Sequence, residues 1–238
     1  MNLSSTFDCG ETVIPDRWPG FRALLLASLL LCSLSLRAAE PARVTFSFDF
    51  PGSDPDHYSL VVSSDGHASY ESRGRISTEA SDLESYQTEF NLSEATRAEI
   101  FDLAVRAHYF SGKIDSGNKK IAFGGAKKLT YTDGQRNFSA EYNYSPQPAV
   151  LRLTTLFQDI SAAMEFGRRL AYDHRYQKLA LDEELKHMEN QAKSGDLAEL
   201  QAVKPVLQAI YEDASVINVV RVRAQKIMEM GPTASASR

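Results

Sequence analysis

Glu184-Leu185-Lys186-His187 is the spacing in this chain that most resembles a metal site. A carboxylate and an imidazole at i and i+3 share one helix face, as in carboxylate-bridged di-iron bundles. Such a site needs a second Glu-x-x-His and two further glutamates from neighbouring helices, and the chain has no second copy. A solvated helix face is the simpler reading. Asp54, Asp56 and His57 form an acidic knot, but the spaced acids and closing glutamate of an EF-hand are missing. Turn chemistry accounts for Gly52-Ser53-Asp54-Pro55-Asp56 without an ion. His67, His108 and His174 stand in no recognisable order with serine, cysteine or aspartate. Asp173 and His174 are neighbours, so they point to different sides of a helix. These patterns predict no catalytic residue, no metal and no cofactor.

A more distinctive pattern is basic. Lys113, Lys119, Lys120, Lys127 and Lys128 flank Ile121-Ala122-Phe123-Gly124-Gly125-Ala126. Functionally this reads as a loop for an anionic partner, such as a phospholipid surface or an acidic glycan. Gly124-Gly125 lacks the spacing and terminal Lys-Ser/Thr of a phosphate-binding loop. Structurally, the same lysines would keep the following strand from pairing with another chain. Further on, Arg168, Arg169, Arg175 and Lys178 precede Asp182, Glu183 and Glu184, a charge segregation found in helices that dimerise or dock a partner. Ligand or partner contacts are therefore expected at Lys119, Lys120, Phe123, Lys127, Lys128, Arg168, Arg169 and Arg175. The stripes Phe46, Phe48, Phe50 and Phe138, Tyr142, Tyr144 read as core packing against a helix over Ser93–Tyr109, in preference to a carbohydrate platform.

The elements that must position these groups change character near Pro146. Arg43–Phe50 alternates apolar and polar residues, His57–Ser63 follows, and Asp65-Gly66 turns the chain into His67–Ser72 through a positive-φ dipeptide. Tyr86, Thr88 and Phe90 alternate again. Ser93 is an N-cap, with Ile100, Leu103, Ala104 and Ala107 at helical spacing behind it. Lys128–Thr132, Asp133-Gly134 and Gln135–Tyr144 make a second hairpin. An antiparallel sheet covered on one side results. From Pro148 the period becomes helical. Ala149–Gln191 contains no proline and one glycine, which predicts a long helix bending near Gly167. Asp196 is expected to cap a returning helix, Leu197–Asp213, broken at Lys204 by Pro205. Ser215–Met230 is expected as the last helix. The fold class is α+β: an antiparallel sheet with hairpins and one covering helix, then a C-terminal helical region with a long helix.

Phe21–Ala39 has the layout of a secretory signal: Arg22, an apolar run from Ala23 to Leu36, then Ala38 and Ala39. As a helix that run spans about 21 Å, short of the roughly 30 Å hydrocarbon core. Cys32 follows Leu30-Leu31 rather than a small residue, which argues against lipidation. The expected organisation is 1–39 signal peptide, 40–146 sheet-plus-helix module, 147–230 helical region and 231–238 disordered tail. Both cysteines, Cys9 and Cys32, fall in the leader, so a cleaved chain would have no disulfide and no thiol chemistry. The leader removes three acids and three arginines, leaving the net charge at −5. That balance does not suit a general nucleic-acid binder.

The stretch KKLTYTDGQRNFSAEYNYS (127–145), followed by LFQDISAAMEFGRRLAYDHRYQKLALDEELKHME (156–189), resembles uncharacterised exported bacterial proteins. The sheet half is loosely similar to small domains of unknown function. The resemblance implies export and carries no assigned catalytic residue. The function expected is a non-enzymatic binding or interaction module of the bacterial envelope, secreted or periplasmic. Its partner would be another envelope protein or an anionic surface, with membrane contact only through an uncleaved signal. Rival readings are an exported hydrolase with a spatially assembled carboxylate/histidine site, and an inhibitor whose 111–126 loop plugs a target.

Overall fold

The computed structural model of the 238-residue chain describes residues 40–77, 80 and 82–230. The expected signal and the 231–238 tail lie outside the described residues. Alternating side chains build the sheet. Strands β1 (Arg43–Asp49), β2 (His57–Ser63), β3 (His67–Gly74), β4 (Glu84–Asn91), β5 (Ala126–Thr132) and β6 (Asn137–Tyr142) are ordered β4-β3-β2-β1-β5-β6. Every neighbouring pair is antiparallel. The period of two sends Val44 and Phe46 inward beside Leu60 and Leu129, all fully buried. It sends Thr45, Ser47, Ser59, Ser69, Thr130 and Ser139 to the opposite face, where they are half-buried or exposed.

Helix α1 (Glu94–Arg106) lies between β4 and β5 in the chain and packs Ile100, Leu103 and Ala104 into the core. Ser93 caps it as expected, accepting a hydrogen bond from the Thr96 amide. The larger cover over the sheet is α2 (Pro148–Tyr176), 29 residues and about 43 Å long. Its Phe157 ring stacks on Phe46, with centroids 5.2 Å apart and planes 2° apart. Burying one such aromatic contributes about 2–3 kcal/mol. Helices α3 (Leu181–Ser194), α4 (Lys204–Glu212) and α5 (Asn218–Glu229) follow. The molecule is thus α+β.

Four local expectations change. The long helical run ends at Tyr176 rather than bending at Gly167. Gly167 instead admits a neighbour: a Cβ there would sit 2.6 Å from Cγ1 of Val203. Asp196 caps no helix. Its amide closes the end of α3 on the Gln191 carbonyl, behind Gly195 at φ 78°. The break expected at Lys204 is present, but what precedes it is a 3-10 turn, Leu200–Val203, rather than a helix from Leu197. Pro205 sits in the first turn of α4, where its missing N–H costs nothing. In the first hairpin only Gly66 takes a positive φ, of 98°, while Asp65 does not, and Gly134 in the second hairpin is not left-handed either.

Candidate functional site

The basic loop between α1 and β5 is entered through an unfavourable backbone. His108, Tyr109 and Phe110 have φ of 51°, 55° and 65°. Left-handed geometry costs an L-residue roughly 1–2 kcal/mol each. Packing offsets it: Phe110 is fully buried, and Tyr109 meets Tyr131 at 4.7 Å with the Arg136 guanidinium 4.4 Å over its ring.

Residues 111–125 have no regular structure, yet their backbone is tied down at many points. Asp115 accepts hydrogen bonds from the amides of Asn143 (2.8 Å) and Gly117 (2.6 Å), and these donors hold its carboxyl below the ordinary range. Asn143 accepts from the Gly124 amide (2.8 Å) and donates to the Ala122 carbonyl (2.9 Å). The Ser116 amide bonds the Tyr144 carbonyl at 2.9 Å. At the root, the Lys127 ammonium donates to the carbonyls of Gly124 (2.9 Å), Gly125 (3.3 Å) and Asn143 (3.1 Å). Gly125, at φ 93°, lies so close to Phe48 and Phe50 that no side chain fits there.

The loop therefore presents a defined tip. Phe123 is 61% exposed, its ring edge-on to Phe50 at 5.9 Å. Lys119 and Lys120 are exposed and make no ion pair among the described residues. The other expected contact residues are placed differently. Lys127 is buried at the root of the loop, where loss of water lowers its pKa, and it serves the loop's backbone rather than a ligand. Lys128 is exposed and paired across the strands with Glu141 at 3.4 Å. Arg169 bonds Glu184 at 2.6 Å between α2 and α3, and Arg175 is exposed beside the Tyr176 ring.

Arg168 is inside the fold. It donates to the carbonyls of Gly74 (2.9 Å) and Glu84 (3.2 Å) and approaches Glu165 at 3.4 Å, with both side chains only 4% exposed. Glu165 in turn accepts from the Tyr70 hydroxyl (2.8 Å) and the Ser72 hydroxyl (2.5 Å). This cluster escaped the sequence reading, although Glu165 and Arg168 at i, i+3 fall on the apolar stripe of α2. Beside it a cleft of about 310 Å3 opens between Phe48, Tyr58, Phe166 and Gln191.

Most of the histidines and acids singled out for chemistry are held in separate local contacts. His57 bonds Asp49 at 2.6 Å, Arg73 grips Asp56 through two bonds of 2.9 and 2.8 Å, and Asp54 accepts from the Arg75 amide. His174 bonds Asp213, which also holds Lys178 and Ser215. Glu184 is engaged by Arg169 while His187 stands exposed. Among the described residues, no three His, Cys, Asp or Glu side chains gather in a way that could hold a metal ion. Compared with protein-family models and with curated proteins, the chain matches none.

Proposed function

We propose that this chain is a non-enzymatic binding protein of the bacterial envelope or exterior, and that the 111–125 loop is its contact surface. One observation carries the reading: a backbone pinned by Asp115, Asn143 and Lys127 displays Lys119, Lys120 and Phe123 outward, where the two lysines make no ion pair among the described residues. A loop ordered in advance loses less entropy on binding. The left-handed turn before it supports the same reading, since backbone strain collects where function demands a fixed shape. Export is supported by the leader pattern in the sequence. The test is a photocrosslinking side chain at exposed position 122 in the native host. A discrete adduct is expected, abolished by Lys119→Glu/Lys120→Glu in a chain that melts normally. An adduct indifferent to that charge reversal would refute the assignment.

A further inference from the structure

We infer that the ligand of this loop is a bilayer surface rich in anionic phospholipid. The inference rests on the binding reading above and names its partner, and it adds a membrane contact separate from the leader. Ile121, Ala122 and Phe123 are consecutive at the tip, with Lys119 and Lys120 directly before them. Phe123 supplies an apolar wedge, and the long flexible stems of exposed Lys119 and Lys120 let their ammonium groups stay at headgroup depth beside it. Tyr144, 40% exposed and tied to the loop through Ser116, adds an aromatic ring of the kind that favours the membrane interface.

Charge fixes the orientation. Of the five lysines in residues 111–128, Lys127 is buried and Lys128 is paired with Glu141. Lys113, Lys119 and Lys120 are exposed with no ion pair among the described residues, beside the single acid Asp115 in a chain of net charge −5. An anionic surface attracts this end and repels the rest. Side-chain type favours lipid over a protein partner, since peripheral anchoring needs only an apolar wedge and a few cations. The cations are lysines, point charges that lack the forked geometry arginine brings to carboxylate recognition. No helix among the described residues is long and apolar enough to cross a membrane, so this contact is peripheral.

The experiment is flotation of the full chain, purified from an exporting host, with vesicles of phosphatidylcholine alone or with one third phosphatidylglycerol. Binding to the anionic vesicles, released by high salt, is expected. Lys119→Gln/Lys120→Gln should weaken it roughly thirty-fold, from about fivefold per lysine. Phe123→Ser should also weaken it, and Lys186→Gln, at an exposed site on α3, should not. Melting curves that superimpose on the parent show that each variant folds. Equal binding to neutral vesicles, binding unchanged by the loop variants, or no flotation at all overturns the inference. So does displacement by millimolar glycerol phosphate, which would identify a soluble phosphate ligand. If vesicles fail but the position-122 crosslink captures a protein in a Lys119/Lys120-dependent way, the binding reading stands and the lipid partner falls. If the crosslink also fails, both fall.

Discussion

Removing Glu165 alone should cost far more than removing Glu165 and Arg168 together. Glu165→Leu takes away the carboxylate paired with a guanidinium that is 4% exposed. Arg168 would keep the Gly74 and Glu84 carbonyls and the Tyr86 face, none of which neutralises it. Breaking a buried pair on one side costs about 3–5 kcal/mol. The Ser72 hydroxyl loses its acceptor as well, adding about 1 kcal/mol, while Tyr70 retains Ser161 at 3.0 Å. A loss of about 4–6 kcal/mol is a large part of the 5–15 kcal/mol of an ordinary domain. In Glu165→Leu/Arg168→Met no stranded charge remains, and the loss should shrink to about 2 kcal/mol, mostly from the two carbonyls left without a donor. Urea unfolding of the parent, both single variants and the double variant closes the cycle. A single-variant loss below about 1 kcal/mol at unchanged m-value would refute the reasoning, since the guanidinium would then be finding water.

Three further outcomes follow from the same geometry. Burial, with Glu184 nearby, pushes the Asp173 carboxyl up to about 6. The folded state therefore binds that proton more tightly, and stability falls as pH rises from about 4 to about 6. Asp173→Asn should raise stability by about 1 kcal/mol at pH 7, after allowance for solvent screening, and change little at pH 4, as read by denaturation at both. Glu189 behaves oppositely: Lys193 and Lys226 hold it at about 2, so its contribution is present above about pH 4.5 and is lost as pH falls toward 2. Glu189→Gln should cost about 1 kcal/mol at pH 7 and almost nothing at pH 2, and a uniform loss would contradict the assignment. Finally, His108→Asn places a residue tolerant of left-handed geometry at φ 51° and should stabilise by up to about 1 kcal/mol; a lower melting temperature would show that the imidazole is needed there.

Local chemistry wrote much of the fold into the sequence. The alternation over Arg43–Phe50 and the run His57–Ser63 name strands because period two is the only way to keep one side dry. Ser93 names a helix start because its hydroxyl reaches the Thr96 amide. The tip Lys119, Lys120, Phe123 was legible as a surface for the same reason, being charge and aromatic without a local partner. What stayed hidden depends on residues far apart in the chain. The break at 177–180 contains neither glycine nor proline; it forms where Lys178 and His174 meet Asp213, more than thirty residues later. Glu199 closes the start of α1 by accepting from both the amide and the hydroxyl of Ser93, 106 positions away. Lys127 and Arg168 read as surface cations, and only tertiary packing turned them inward. A buried charge is tolerable when carbonyls or a carboxylate from other strands and helices arrive to replace water. Periodicity reports which side of an element is dry, but it is silent on which distant group will meet the polar residue placed there.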